Sequence, residues 1–220
     1  MKSVIKDVVR RSSAYRVLGN HVYRFRGKIF DWKYNIQTAR EVELDELRID
    51  SPNSVHGVRY AGSDPKFFRK FLLEWEIPYE NFVFVDLGSG KGRVLLMASE
   101  QPFKKIVGVE FSSELHQIAQ SNIRNYKNPA QKCRSVESVC LDAAHFAPPP
   151  EPSVFYIFNA FSREILTKVL RNLENSLVEN PREIYIFYTY AVHKDILQAS
   201  PMFKEISSGV WHSLYQSVQI

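Results

Sequence analysis

From Phe82 onward, short apolar runs of strand length alternate with segments whose apolar residues recur at helical spacing, and very few folds satisfy this alternation. Phe82 to Val85 is wholly apolar and is tipped by Asp86. Gly92 to Ser99 begins a helix, Lys104 to Glu110 reads as strand, and Ser112 to Tyr126 reads as helix with Leu115, Ile118 and Ala119 inward. Strand signals return at Val136 to Leu141, Val154 to Phe158 and Glu183 to Tyr188. The proline-rich Ala147 to Pro152 separates the first two of these. A helix carrying Ile165, Leu166, Val169, Leu170, Leu173 and Leu177 separates the last two. Strands without a polar face must be covered on both sides, so the pattern predicts βαβ units: an α/β fold with a Rossmann-like, mostly parallel sheet and helices on both faces. Met202 to Ser207 and Trp211 to Ile220 are joined by Ser207-Ser208-Gly209-Val210 with no helix between, which predicts a terminal antiparallel β-hairpin.

Upstream, Ser63 or Asp64 can cap a helix whose first position is Pro65, with Phe67, Phe68, Phe71, Leu72 and Trp75 at helical spacing and Ile77-Pro78 at its end. Residues 36–62, with Pro52, Asn53, Gly57 and Gly62, read as a connecting region of short or irregular pieces. The charge is uneven: residues 1–35 hold nine cations against Asp7 and Asp31, a net of +7 within an overall +5. The expected organisation is therefore a basic N-terminal extension or cap over residues 1–57 and a main domain over 58–220.

The extension starts with Val4, Ile5, Val8 and Val9 on one helical face and continues with aromatics interleaved with cations: Tyr15, Arg16, Tyr23, Arg24, Phe25, Arg26, Phe30, Trp32, Lys33 and Tyr34. Such a mixture can grip nucleic acid, phosphates meeting cations and bases stacking on rings. It can equally cap the main domain with its aromatics while the cations stay wet, and an Arg-rich, acid-poor segment also fits a mitochondrial presequence. No apolar run approaches the roughly 18 residues of a membrane span. The N-terminus lacks the pattern of a secretory signal, and the two cysteines, Cys133 and Cys140, read as reduced thiols of a cytoplasmic protein. Neither the cysteines nor the six histidines show metal-ligand spacing, so no metal is expected.

In an open parallel sheet, ligands bind beyond the carboxyl ends of the strands. After the first strand comes Asp86-Leu87-Gly88-Ser89-Gly90-Lys91-Gly92, an acidic tip followed by G-x-G-x-G and a helix. Glycines there permit a tight turn and close approach of a ligand to the backbone. A phosphate-binding P-loop fails on Val85 and on Gly92 following Lys91, and a dinucleotide loop meets Arg93 where its third glycine belongs. Asp86 would repel a pyrophosphate but attract a cation, which favours S-adenosylmethionine, with its ammonium and sulfonium and no phosphate, over a nicotinamide cofactor. Gly88-Ser89-Gly90 is not the G-x-S-x-G of a hydrolase, because Leu87 stands at the first glycine's place.

FVDLGSGKG, followed after the second strand by Gly108-Val109-Glu110-Phe111, resembles the class I S-adenosylmethionine-dependent methyltransferases. Asn159-Ala160-Phe161 after the fourth strand is similar to the non-SET histone lysine methyltransferase family, and the resemblance covers roughly residues 58–190. It implies a cofactor site of Asp86, Gly88, Ser89, Gly90, Gly92, Glu110, Phe111, Asp142 and Ala143, in which Glu110 accepts from the ribose hydroxyls and Asp142 from the adenine amine. Arg59-Tyr60-Ala61-Gly62-Ser63 lies where that family closes a loop over the cofactor, which adds Tyr60. The implied reaction is in-line methyl transfer to an amine nitrogen of a protein or small molecule, with Asn159 orienting the amine and Phe161, together with Tyr188 or Tyr190, forming an aromatic wall. Motif IV lacks the prolines common in base-amine methyltransferases. Asp142 can instead cap a turn, and Asn159 can cap the helix that starts near Ser162. A module that binds the same cofactor but acts in nucleic-acid binding or assembly through its basic arm is the alternative.

Overall fold

The computed structural model describes residues 13–47 and 59–218. The periodicity read over Val4 to Val9, the turn residues Pro52, Asn53 and Gly57, and the boundary between residues 57 and 58 lie outside the described residues.

One sheet runs in the order β3-β2-β1-β4-β5-β7-β6. Its strands are β1 (Val83–Leu87), β2 (Lys105–Glu110), β3 (Val136–Cys140), β4 (Ser153–Phe158), β5 (Ile184–Thr189), β6 (Phe203–Ser208) and β7 (His212–Ser217). The first five pair in parallel, and β7 lies antiparallel between β5 and β6. The helices are α1 (Ser13–Tyr34), α2 (Pro65–Glu74), α3 (Arg93–Ala98), α4 (Ser113–Asn125), α5 (Arg163–Glu179) and α6 (Lys194–Gln198). This is the α/β sheet with a terminal hairpin that the alternation predicts.

Period-two alternation divides the core into two layers. Phe84, Ile106, Val154, Tyr156, Tyr185 and Phe187 join residues of α1, α2 and α3, whereas Val83, Val85, Leu87, Phe155, Ile157, Ile184 and Ile186 join those of α5 and α6. Helix starts follow local chemistry: Asp64 accepts from the Lys66 amide at 2.8 Å, Ser112 from Leu115 at 3.3 Å and Ser162 from Ile165 at 3.4 Å. Two expectations need correction. β1 continues through Asp86 to Leu87, because Leu87 pairs with Val109 and Ile157, so Asp86 is inside the strand and not beyond its tip. The five-residue α6 falls where no helix was expected; only Leu197 of it is buried, too little periodicity to read from sequence.

Helix α1 is a cap on the α2–α3 side of the sheet. Phe30 and Tyr34 pack against Tyr126, and the Phe30 and Tyr34 rings meet edge-to-face at 5.0 Å. A second anchor is polar. The Arg93 guanidinium, buried at the first turn of α3, donates from Nε to Thr38 Oγ1 at 2.7 Å and from Nη1 to the Ser63 carbonyl at 3.2 Å. Thr38 donates in turn to Asp31 of α1, so a hydroxyl links the buried cation to a carboxylate. Gly27 and Gly62 line the guanidinium so closely that a Cβ would come within 2.9 Å and 2.7 Å of it.

Phe30 is 3% exposed and Trp32 is 85% exposed. Replacing Phe30 with Ala should cost about 3–5 kcal/mol in urea unfolding, as for other buried phenylalanines. Replacing Trp32 with Ala should stay within about 0.5 kcal/mol. Equal and small effects would mean that α1 does not cap the domain.

Candidate functional site

The chain runs from β1 outward through β2 to β3 and then returns to β4 on the other side of β1, so a crevice opens at the carboxyl ends of β1 and β4. Leaving β1, the backbone takes left-handed conformations at Gly88 (φ 80°), Gly90 (φ 52°) and Gly92 (φ 79°), which side chains adopt only with strain. Two of these glycines also meet close neighbours. A Cβ at Gly88 would lie 2.6 Å from Ala160 Cβ, and one at Gly90 would lie 2.2 Å from the Tyr60 ring. The loop is thus gripped between the Asn159-Ala160 turn and Tyr60.

Tyr60 is held over the loop from above. Its hydroxyl donates to the Thr38 carbonyl at 2.9 Å, its backbone bridges to Val42, and Lys91 Nζ lies 5.0 Å from its ring centre while donating to the Arg40 carbonyl at 2.7 Å. Burial pulls the Lys91 ammonium below its ordinary range, with Arg40 adding to the effect.

Under the loop lie two carboxyl groups, Asp86 and Glu110, each 3% exposed. Glu110 accepts from the Gly90 amide at 2.8 Å through one oxygen and from the Ser112 amide at 2.9 Å through the other. Burial nevertheless pushes its pKa up to about 7 against these two bonds. Asp86 is raised well above the ordinary carboxyl range, first by burial and then by the like charge of Glu110. Among the described residues no salt bridge reaches either group. Beside them the Ser89 hydroxyl is buried without a hydrogen-bond partner among the described residues. Two buried acids, a glycine backbone and an unused hydroxyl fit a ligand that brings its own positive charge and polar groups.

The remaining expected residues sit on the same rim. Asp142 follows β3, where Leu141 donates to the Glu110 carbonyl at 2.9 Å. Asp142 caps the short turn Ala143–His145, accepting from Ala144 at 2.9 Å, while Ala143 is buried and Phe111 half-buried. Asn159 does not cap α5, because Ser162 does. Its φ of 41° instead turns the chain sharply out of β4, with its amide on the Thr189 carbonyl at 3.2 Å. Phe161 is half-buried against the α5 layer. Tyr188 is wholly buried in the core and can form no part of a wall. Tyr190, half-exposed at φ 49°, stands between Phe158 and Trp211 with ring centres 5.3 Å from each. Sequence reasoning missed Thr38, Lys91 and Arg93, which fasten Tyr60 and its loop. Lys91 and Arg93 entered the sequence reading only as departures from other loop motifs, and nothing local announces the glycines and carbonyls that receive them.

A family model described as histone methylation protein DOT1 matches residues 45–134, which hold Tyr60, the glycine loop, Glu110 and Phe111. No curated protein matches the sequence. Among solved structures, the ribosomal protein L11 methylase from Lactobacillus delbrueckii subsp. bulgaricus aligns at 17% identity and TM-score 0.52, over 79% of this chain and 86% of that one. A putative S-adenosylmethionine-dependent methyltransferase from Methanococcus maripaludis aligns at 13% identity and TM-score 0.52, over 71% and 85%. The magnesium protoporphyrin IX methyltransferase of Synechocystis PCC 6803, solved with bound S-adenosylmethionine, aligns at 12% identity and TM-score 0.52, over 71% and 78%. At these identities the structures establish the fold, and with the family model they bear out the resemblance to class I methyltransferases.

The raised Glu110 pKa makes a sign-specific forecast for the unliganded protein. Between its ordinary 4.5 and about 7 the folded chain holds a proton that the unfolded chain has lost, so raising the pH through this window destabilises the fold. At 1.36 kcal/mol per pKa unit the loss is on the order of 3 kcal/mol, and Asp86 adds in the same direction. Urea melts from pH 4.5 to 8 should show this decline, and Glu110→Gln should flatten much of it. A decline of equal size in the variant would place the titration elsewhere.

Proposed function

We propose that this chain, which has the fold of the class I S-adenosylmethionine-dependent methyltransferases and the DOT1 pattern over residues 45–134, binds S-adenosylmethionine and transfers its methyl group to an amine nitrogen. The buried Asp86–Glu110 pair beneath a left-handed glycine loop carries the reading. Two raised carboxyl groups without a facing cation favour a cationic ligand and disfavour a pyrophosphate. The place of a dinucleotide loop's third glycine is taken by the buried Arg93, which serves the cap.

The cofactor supplies an electrophilic methyl on a sulfonium. In this reading Asp86 and Ser89 face its amino-acid part, and Gly88, Gly90 and Gly92 let it approach the backbone. Glu110 keeps one lone pair on each oxygen for the ribose hydroxyls after accepting its two amides. Asp142, Ala143 and Phe111 receive the adenine. Tyr60 closes the site and excludes water, which strengthens each polar contact inside. The acceptor enters over β4 and β5. Asn159 would accept a hydrogen bond from the amine and orient its lone pair, with Phe161 and Tyr190 as apolar walls; as the N–CH3 bond forms, the S–CH3 bond breaks to leave a neutral thioether, and the amine's proton is released to solvent. The gain is one of positioning, so no covalent intermediate is required.

Calorimetry should give micromolar-range binding of S-adenosylmethionine or its demethylated product, and Glu110→Ala should weaken it at least tenfold, since a hydrogen bond to a charged acceptor is worth about 1.5–3 kcal/mol. Asn159→Ala should leave that affinity within about threefold while lowering single-turnover methyl transfer by about 10²-fold or more. Acceptors can be sought by radiolabelled transfer into protein, RNA and metabolite fractions. Tighter binding of NAD than of either methionine-derived ligand would refute the assignment. Cofactor binding without transfer into any fraction would leave a binding module.

A further inference from the structure

The face of α1 turned away from the domain is apolar. Val22, Phe25, Ile29 and Trp32 follow one another at intervals of three, four and three residues, which at 100° per residue places them in one stripe. All four are exposed, Phe25 by 64% and Trp32 by 85%. They do not belong to the buried side, which Phe30 and Tyr34 occupy, and nothing in the cap requires them.

The charges around this stripe have one sign. Lys28 flanks it beyond Trp32 and Lys33 flanks it beyond Val22, and neither forms an ion pair among the described residues. The only carboxylate of α1 is Asp31, which is turned inward to accept from Thr38 and Ala39. Arg24 is held by Glu41, and Arg26 by Asp64. The sequence ahead of α1 adds Lys2, Lys6, Arg10 and Arg11 against Asp7 alone, and α1 itself adds Arg16.

We propose that α1 lies in the interface of an anionic lipid membrane, its Val22-Phe25-Ile29-Trp32 stripe seated at the acyl boundary and its flanking lysines at the headgroups. Aliphatic and aromatic residues on one side with cations along both edges suit such a surface. Other occupants fit less well. A second copy would bring the same net positive arm against this one, and a stripe of four side chains is small beside the roughly 1,200 Å² that a stable dimer buries. Nucleic acid would leave Val22 and Ile29 facing phosphates with no hydrogen bond to offer. No helix among the described residues is long and apolar enough to cross a membrane, so the arrangement is one of lying on the surface.

The test is sedimentation of the full chain with vesicles of phosphatidylcholine alone and of phosphatidylcholine mixed with phosphatidylglycerol. The chain should pellet with the mixed vesicles, with Trp32 fluorescence shifted to the blue, and far less with the neutral ones. The combined variant Phe25→Ser, Ile29→Ser, Trp32→Ser keeps the net charge and replaces only exposed residues. It should melt like the parent yet lose about tenfold or more in binding to mixed vesicles, and Lys28→Gln with Lys33→Gln should weaken binding and lower its salt dependence. Failure to pellet with the mixed vesicles would overturn the proposal. So would undiminished binding of the serine variant, which would leave simple charge attraction by the arm. A dimer, or an RNA complex, that the serine variant abolishes without any vesicle binding by the parent would assign the stripe to that partner instead.

Discussion

The buried Arg93 guanidinium is the contact on which the arrangement of this molecule turns. Burying such a cation is costly unless its donors find acceptors. The acceptors come from segments distant in sequence: the Thr38 hydroxyl, backed by Asp31, and the Ser63 carbonyl. Arg93 sits directly behind the glycine loop, so satisfying it draws α1, the stretch after it and the segment before α2 onto the loop's outer side. Tyr60 then lies where its hydroxyl reaches the Thr38 carbonyl and its ring covers Gly90. One side chain at the start of α3 thereby makes the N-terminal cap part of the site's wall.

Beneath that wall the two carboxyl groups work in the opposite sense. Asp86 and Glu110 are pushed toward their protonated forms by the same exclusion of water that makes Arg93 seek partners. Glu110 is fixed by two backbone amides, one from the glycine loop and one from the start of α4, so its orientation is set before any ligand arrives. A cationic ligand would relieve both groups and release protons as it binds. Without a ligand the two charges are therefore held in an unfavourable place.

The sheet was legible in the sequence because its central strands β1, β4 and β5 are apolar on both faces and its caps are local. Asp64-Pro65 and Ser112 announce their helices within three residues, and Gly88, Gly90 and Gly92 announce a loop of left-handed backbone. Long-range fastening was not legible. Gly62 read as part of a connecting region and Gly27 carried no signal at all, yet each leaves room for the guanidinium of a residue tens of positions away. The Asn159 cap reading failed for a similar reason: Asn before a helix is ambiguous, and Ser162 stood closer to the amides that needed an acceptor. What the N-terminal arm does with its cations was left open by composition, and packing settled only the inner face of α1.

The carboxyl ends of β4 and β5 show how backbone conformation can be held where it is unfavourable. Phe158 and Thr189 pair at the ends of β4 and β5, and the next residue on each strand, Asn159 and Tyr190, takes a positive φ. Asn tolerates that conformation, but for a bulky Tyr it costs on the order of 1–3 kcal/mol. The terminal hairpin offsets the cost: the Tyr190 amide donates to the Trp211 carbonyl at 2.8 Å, and the Tyr190 ring fits between Phe158 and Trp211. β7 is therefore more than an edge strand added to a parallel sheet. Its turn fixes the place at which β5 leaves the sheet, and it sets an exposed aromatic group beside the Asn159-Ala160 turn that abuts the glycine loop. The two turns lie at the same level on neighbouring strands, and the hairpin supports the Tyr190 side of the rim, whereas the carboxyl groups of Asp86 and Glu110 belong to β1 and β2 themselves.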